Sequence, residues 1–396
     1  MTARPAFFSE RSRFTPPSGT PLATGPTSDL VIDLTETNPT RVGLAGPRRV
    51  AAALHAVRDA HYEPDPLGML CAREAVAKSY AERGISIDPS RILLTASTSE
   101  AYAWLFKLLC DPGDEVLIPR PSYPLFDCLA RLEAVRTVDY PLLREEGFRI
   151  DTHALERLVG ERTRAIVLVA PNNPTGTLVH EEDAAAIEAL ASRHGLALIV
   201  DEVFADYLRP DLGPHLRRTF AGRAPTCTCF VLSGLSKVML APQLKLGWMI
   251  VSGPAADSAR ERLEIIADTF LSVSSPVQLA LPAILAERAS VQAELSQRLA
   301  ENVRTLAIAT ADDTSPVRAL WGHGGWCALI ELPRIMSEDD WVHSLAERAN
   351  VLVQPGWFYD IADGGTLIVS LIVEPTRFRA GIERVIEQVA RLAGSR

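Results

Sequence analysis

Short apolar runs alternate with helical stretches through the middle of the chain. Six runs rich in Val, Ile and Leu are spaced along it: RILLTAS at 91, EVLIPRP at 115, RAIVLVAP at 164, LALIVDEV at 196, TCFVLSGLS at 228 and LGWMIV at 246. These runs do not alternate with polar residues, which is typical of strands buried on both faces of a mostly parallel sheet. The pattern therefore predicts an α/β domain in which helices connect the strands and cover the sheet.

The C-terminal third has a different order of elements. A long helical stretch from 255 to 310 precedes three strand-like runs (WCALIELP, NVLVQPG and TLIVSLIV) and an amphipathic helix, TRFRAGIERVIEQVARL. We predict a large domain over residues 45–285 and a smaller α+β domain built from 31–44 and 286–396. Residues 1–30 are rich in Pro, Gly, Ser and Thr and are predicted to be an N-terminal arm.

Composition and charge narrow the possible partners. The 396 residues are 47% hydrophobic and carry a formal net charge of -9, so the chain can bury a large core but lacks the basic excess of a protein that binds nucleic acid or anionic membranes. No apolar run reaches membrane-spanning length. The six cysteines show neither CxxC pairs nor zinc spacing. We expect a cytoplasmic protein with reduced thiols, no metal site and small-molecule substrates.

The candidate chemistry follows the apolar runs, at the carboxyl ends of the predicted strands, where ligands of open α/β sheets bind. Ser97, Thr98 and Ser99 join a strand to a helix, so they would either bind a phosphate at the helix N-terminus or simply cap the helix. Tyr123 follows the next run and would either stack on a flat ring or form part of the core. Asn173, before Pro174, would serve a turn or donate to a ligand.

Three later residues need a reason to be charged among apolar neighbours. Asp201 ends a very apolar run, where a carboxylate is costly unless a cation, a donor or a helix N-terminus meets it. Lys237 and Lys245 lie in SGLSKVMLAPQLKLGW, whose Leu, Val, Met and Trp residues argue against two solvated surface lysines. A desolvated lysine can act as a nucleophile. Successive strand ends thus carry a phosphate-binding turn, an aromatic residue, an Asn, an acid and a lysine, a set that would bind a flat, phosphorylated, cationic ring.

The same segments resemble the fold-type I pyridoxal-phosphate aminotransferases of class I/II over roughly residues 30 to 393. The resemblance is carried by YEPDPLG, TASTSEA, PSYPLF, PNNPTG, DEVF, SGLSK and LKLGW, in the family's order and at its spacing. It implies a large domain with a mostly parallel mixed sheet between helices, plus a smaller domain. It also implies pyridoxal 5'-phosphate as cofactor and transfer of an amino group from an amino acid to a 2-oxo acid through a Schiff base on Lys237.

By this resemblance the other candidates have roles around the cofactor. Asp201 would pair with the ring nitrogen, Asn173 would meet the ring 3-oxygen and Tyr123 would stack on the ring. Ser97, Thr98, Ser99 and Lys245 would bind the phosphate, and Ser233 is a less supported helper. Tyr62 of the partner subunit would also reach the phosphate. The last contact implies a homodimer with shared active sites.

Two positions near the cofactor depart from the family's pattern. Lys245 stands where an Arg is usual, and its point charge would bind phosphate less directionally than a guanidinium. Phe204 stands where the family usually has a Tyr that donates to the ring 3-oxygen, and the missing donor would raise the pKa of the Schiff base. Tyr207, three residues later, is interpreted as a packing residue rather than a substitute donor.

A third departure concerns the substrate. Leu367 stands where the family typically has an Arg that grips the substrate α-carboxylate. Our hypothesis is that Asn38, with Arg41, takes over this contact and that Trp326 faces the substrate. The alternative is that the donor is an unusual amine without a normal α-carboxylate.

Two other functions remain as rivals. A β-lyase, or another elimination enzyme of the same fold, would use the same cofactor and release ammonia without consuming an acceptor. The other rival is a non-catalytic binding protein or regulator derived from such an enzyme; a transcriptional version should carry an N-terminal DNA-binding domain, which about thirty Pro/Gly-rich residues cannot supply. With Lys237 and Asp201 both present, the chemistry favours an enzyme.

Overall fold

The computed structural model describes residues 7–13, 30–58, 61–312, 314–361 and 364–394. Most of the predicted N-terminal arm therefore lies outside the described residues. The strands of the described part are β1 (Ile32–Asp33), β2 (Ile92–Thr95), β3 (Glu115–Arg120), β4 (Arg136–Leu143), β5 (Arg149–Ile150), β6 (Thr163–Val169), β7 (Ala197–Asp201), β8 (Cys229–Gly234), β9 (Gly247–Ser252), β10 (Arg318–Leu320), β11 (Cys327–Glu331), β12 (Val351–Leu352), β13 (Gln354–Pro355) and β14 (Thr366–Ser370).

Helices connect these strands. They are α1 (Gly46–His55), α2 (Leu70–Ala81), α3 (Thr98–Leu109), α4 (Leu125–Leu132), α5 (Thr152–Leu158), α6 (Glu181–His194), α7 (Leu235–Val238), α8 (Ala256–Phe270), α9 (Ser275–Ala286), α10 (Arg288–Ala309), α11 (Glu338–Ser344) and α12 (Pro375–Gly394). The helical stretch predicted for 255–310 is thus three helices, α8 to α10. In the described part of the chain, no helix is both long and apolar enough to cross a membrane.

An eight-stranded mixed sheet organises the larger part of the molecule, with strand order β2-β9-β8-β7-β6-β3-β4-β5. The pairs from β8 to β4 are parallel, whereas β9 and the terminal β5 run antiparallel to their neighbours. All six strands predicted from apolar runs are present. The predicted fold class, a mostly parallel mixed sheet between helices, is confirmed.

The central strands are buried because helices cover both faces. Every residue of β7 and of β8 is buried, as the unbroken apolar runs predicted. Strand β4 was not predicted because it is half exposed near the sheet edge and mixes charged residues with Pro141, so it contains no apolar run.

A smaller antiparallel sheet follows in the C-terminal third, with order β10-β11-β14-β13. Strand β1 pairs in parallel with β12, which joins the N-terminal segment to this part of the molecule. Helix α12 contacts α10, β1 and β12. A smaller sheet domain is therefore present, while its limits at 31–44 and 286–396 stay a prediction.

Strand register brings the carboxyl ends of the large sheet together. Asp201 of β7 lies opposite Val169 of β6 and Leu232 of β8. Gly247, the first residue of β9, lies opposite both Thr95 of β2 and Gly234 of β8. Chain segments that are far apart in sequence thus converge at one edge.

Candidate active site

A cavity of about 250 Å³ opens at this edge of the sheet. The large domain supplies most of its lining, and the N-terminal segment and the small sheet supply the rest. The lining residues are Thr37, Ser97, Thr98, Ser99, Tyr102, Tyr123, Leu125, Phe126, Leu129, Val169, Asn173, Asp201, Val203, Phe204, Gly234, Ser236, Lys237, Leu246, Gly247, Trp326, Cys327 and Tyr359.

Three hydroxyl residues lie at the N-terminus of α3, on the cavity wall. Ser97 is the N-cap, and its Oγ accepts a hydrogen bond of 3.1 Å from the backbone N–H of Glu100. Thr98 and Ser99 occupy the first turn. The capping interpretation and the ligand interpretation are thus compatible, because the Ser97 hydroxyl can still donate its proton and the helix terminus presents N–H groups and positive potential.

Close backbone approach shapes this cradle. A Cβ on Gly247 would lie 3.1 Å from the Ser97 carbonyl carbon and 3.1 Å from Thr95 Oγ1. A Cβ on Gly234 would lie 2.9 Å from the Gly247 Cα. Glycine at both positions lets β8 and β9 pack against the start of α3 at distances that a side chain would prevent.

Asp201 is a buried carboxylate whose hydrogen-bond partners are neutral. Its Oδ1 accepts the backbone N–H of Val203 at 3.1 Å, and its Oδ2 accepts the Tyr102 hydroxyl at 3.3 Å. Burial raises the pKa of Asp201 to about 6, against the lowering effects of these two donors and of Lys237. A cationic ligand group beside Asp201 would favour its ionised form.

Lys237 lies in the short helix α7, directly after β8. Burial lowers the pKa of its amine, while Cys327 and Asp201 act in the opposite direction. Its Nζ lies 4.6 Å from the ring centroid of Trp326 and 5.3 Å from that of Phe204. An amine in such surroundings is more often neutral than a surface lysine and therefore more nucleophilic.

Aromatic rings pack around this lysine. The Trp326 ring makes edge contacts with Phe204 and Tyr207, at centroid distances of 5.4 Å and 5.3 Å. The Tyr207 hydroxyl donates to the backbone carbonyl of Lys237 at 2.7 Å. Tyr207 is therefore committed to the backbone and is absent from the cavity lining, in keeping with its interpretation as a packing residue.

Two further candidates line the cavity, and among the described residues no side-chain hydrogen bond occupies them. Tyr123, between β3 and α4, is 43% exposed, and partial burial raises the pKa of its phenol. Asn173 lies in the loop that follows β6, next to Asn172, whose side chain instead holds the loop together through Pro121 and Thr175.

Three cofactor candidates lie outside the lining. Ser233 is buried in β8. Lys245 is exposed, with φ 51°, directly before the lining residues Leu246 and Gly247. Tyr62 is 66% exposed and borders a separate surface depression.

The substrate candidates behave differently from one another. Trp326 lines the cavity and is buried. Asn38 does not line it, because its Oδ1 accepts the N–H and the hydroxyl of Thr40 at 3.0 Å and 2.7 Å. Arg41 is exposed and lies 3.8 Å from Glu36. Thr37, one residue before Asn38, is the residue of this segment that reaches the cavity.

Several lining residues, among them Tyr102 and Cys327, were not recognised in the sequence. Tyr102 on α3 contacts Asp201, and Cys327 enters from the small sheet. Tyr359 lines the cavity from the segment after β13. Burial raises the pKa of the Cys327 thiol to about 11, against the opposing effect of Lys237. Leu367, in β14, is fully buried and does not line the cavity.

Comparisons with known proteins give the family. The model of the family "Aminotransferase class I and II" matches residues 31–388. Alanine aminotransferase of Mycobacterium tuberculosis is 31% identical over 267 residues, which cover 66% of this chain and 62% of that protein. The match therefore spans less than two thirds of the mycobacterial protein's length.

Other relatives match over longer stretches at lower identity. Tyrosine aminotransferase of Dictyostelium discoideum is 25% identical over 337 residues, which cover 82% of this chain and 79% of that protein. The solved structure of alanine aminotransferase from Pyrococcus furiosus has a TM-score of 0.82 at 24% identity and covers 91% of this chain and 92% of its own. At that identity the structural match supports the fold.

Proposed function

Because the chain belongs to the class I and II aminotransferases, we propose that it transfers an amino group from a donor to an oxo acceptor with pyridoxal 5'-phosphate as cofactor. One observation carries the proposal: the partly buried amine of Lys237 and the buried carboxylate of Asp201 line the same cavity, next to the N-terminus of α3. The names of the relatives make an amino acid donor and a 2-oxo acid acceptor the first pair to test.

The residues fit this cofactor chemically. Asp201 has neutral hydrogen-bond partners and a pKa raised to about 6, so a protonated ring nitrogen would supply the cation that it lacks. The hydroxyls and N–H groups of Ser97, Thr98 and Ser99 would hold the phosphate dianion at the start of a twelve-residue helix. Tyr123 would stack on the ring and Asn173 would donate to its 3-oxygen.

When bound, pyridoxal phosphate supplies an electron-withdrawing ring that acidifies the C–H bond next to the substrate nitrogen. Asp201 would hold the proton on the ring nitrogen. Lys237 would hold the cofactor through Nζ, and its amine would carry the proton to and from the substrate carbon. Burial lowers the pKa of this amine, which favours the neutral form that can accept a proton.

More distant contacts are also part of the proposal. Lys245 directly precedes the lining residue Leu246, so its ammonium group would reach the phosphate as a point charge. Ser233, buried in β8, would act through the neighbouring Gly234 and not by direct contact. Tyr62, which is largely exposed, would reach the phosphate of the partner subunit and make the homodimer the active unit.

An absorption spectrum tests the proposal. The purified holoenzyme is mixed with single amino acids and simple primary amines, without any oxo acid. Conversion of the aldehyde band to the pyridoxamine band by any donor supports amino-group transfer. Release of ammonia with a persistent aldehyde band would instead indicate an elimination enzyme, and a protein that binds the cofactor but converts it with no donor would refute the proposal.

A further inference from the structure

Part of the cavity lining is apolar and aromatic. It includes Trp326, Cys327, Leu125, Leu129 and Tyr359. The Tyr359 hydroxyl donates to Gln354 Oε1 at 2.6 Å, so its polar atom is already occupied. Among the described residues of the lining, Lys237 is the one cationic side chain, and the proposed reaction uses its amine for the chemistry.

Two arginines near lining residues along the chain, Arg120 and Arg41, are paired with carboxylates. Arg120, three residues before Tyr123, lies 2.7 Å from Asp127, 3.1 Å from Asp139 and 3.1 Å from Asp360. Its side chain is 12% exposed. Arg41 lies on the surface beside Glu36. Neither guanidinium is placed to meet a substrate carboxylate inside the cavity.

The same ion cluster, whose members adjoin lining residues along the chain, carries a net negative charge. One guanidinium against three carboxylates, 1 - 3, leaves a formal charge of -2, and each of the three aspartates is about half exposed. Asp127 lies in α4 between the lining residues Phe126 and Leu129, and Asp360 directly follows Tyr359. Such a field attracts an ammonium group and repels a carboxylate.

We propose that the donor is a primary amine with an apolar or aromatic group and without a carboxylate on its amino carbon. The inference rests on the proposed amino-group transfer. A carboxylate that leaves water for this cavity would find no second cation among the described lining residues, whereas an aromatic group gains contact with Trp326, Leu125 and Leu129. This donor class differs from the amino acids in the names of the relatives.

The net reaction balances without a further oxidant. The donor R–CH2–NH2 is oxidised to the aldehyde R–CHO, and an aldehyde or ketone acceptor is reduced to a primary amine. Nitrogen passes from donor to acceptor, the oxygen of the product aldehyde comes from water, and the oxygen of the acceptor leaves as water, so that no water is consumed overall. The bond broken in each half-reaction is the C–N bond to the departing group, and the cofactor returns to its starting form.

A matched pair of donors tests the inference. The holoenzyme is mixed with 2-phenylethylamine or with L-phenylalanine, which differ only in the carboxylate, and the decay of the aldehyde band is followed without an acceptor. We expect a second-order rate constant at least tenfold larger for the amine. A larger rate constant for phenylalanine would overturn the inference and leave the proposed function standing, whereas conversion by no donor at all would overturn both.

Binding without turnover gives a second readout. Calorimetry on the holoenzyme compares 3-phenylpropionate with the neutral 3-phenylpropanamide. We expect the carboxylate to bind at least tenfold more weakly. Equal or tighter binding of the carboxylate would show that a cation meets it, and the inference would fail even if the donor rates had agreed with it.

A charge variant addresses the role of the acidic cluster. Asp360→Asn removes one carboxylate and leaves Arg120 paired with two others, so we expect the amine-to-amino-acid rate ratio to fall severalfold at low salt and less at high salt. The matched control is Asp257→Asn, which neutralises an exposed aspartate of α8 that is paired with Arg91. An unchanged ratio in Asp360→Asn, or an equal change in the control, would contradict the electrostatic part of the inference.

Discussion

The hydrogen bond between Tyr102 and Asp201 gives a specific prediction for Tyr102→Phe. Both side chains are buried, and the tyrosine hydroxyl is one of two donors that favour the ionised carboxylate. The substitution removes only the hydroxyl, so the ring contacts with Phe106 and Phe126 remain. We therefore expect the variant to fold while the pKa of Asp201 rises further above about 6. Tyr102 would thus be a positioning residue for Asp201.

The strength of the Tyr102–Asp201 hydrogen bond sets the expected rise in the pKa of Asp201. A hydrogen bond to a charged group contributes about 1.5–3 kcal/mol, and the 3.3 Å separation favours the low end. A loss of about 1.4 kcal/mol corresponds to a rise of about one in the pKa. If the cofactor binds the ionised carboxylate, its dissociation constant should rise about fivefold at pH 6, about twofold at pH 7 and hardly at all at pH 8.

The assay is a fluorescence or absorbance titration with pyridoxal phosphate at these three pH values. Tyr140→Phe is the matched control, because the buried Tyr140 hydroxyl donates to the Val167 carbonyl, a backbone group of the same sheet that does not line the cavity. Both variants should lose about 1 kcal/mol of unfolding free energy. A ratio of dissociation constants independent of pH, or the same ratios in the control, would refute the reasoning.

Three further changes have defined outcomes. Because burial raises the pKa of Asp201, the cofactor-free protein should lose stability as pH rises from about 4 to about 6. In urea unfolding, Asp201→Asn should therefore be about 2–3 kcal/mol more stable than wild type at pH 7 and similar to wild type at pH 4. Lys237→Ala should keep the fold by circular dichroism but retain no cofactor after borohydride reduction and denaturation; turnover at the wild-type rate would contradict its role. Gly247→Ala should cost about 1–3 kcal/mol and weaken cofactor binding, since its Cβ would crowd Ser97, whereas Gly160→Ala, with its nearest neighbour 4.0 Å away, should change binding little.

The sequence pattern predicted the large sheet because its strands are buried on both faces. A short unbroken apolar run such as that of β7 is typical of a strand in the middle of a parallel sheet. A polar residue at the end of such a run, such as Asp201, is then expected at the edge of the sheet where the strands end. Ser97 could be predicted to cap a helix because it lies between a strand and the helical segment that follows it. Whether the strand ends also form one cavity depends on register, and the close glycine contacts at Gly234 and Gly247 show how tightly that register is set.

Residues that reach the cavity from elsewhere carried no comparable signal. Tyr102 has the spacing of a core residue of α3, and nothing in its position along the chain indicates a contact with Asp201, ninety-nine residues away. The place of Cys327 in the lining depends on how the small sheet packs against the large one, which periodicity does not encode. For Asn38, by contrast, a signal existed: Asn before Pro39 and Thr40 is typical of a turn closed by its own side chain, as observed.

The cavity concentrates groups whose preferred state in water is disfavoured here. Burial raises the pKa of Asp201 and lowers that of Lys237, so both charged forms are disfavoured by the fold. Substituting either residue by a neutral one should therefore not unfold the protein, which separates these positions from ordinary core residues. A cation near Asp201 and an electrophile near Lys237 would relieve both penalties at once, and a protonated pyridine ring bearing an aldehyde has both features. The cost of burial is thus the physical reason why this pair should select its cofactor.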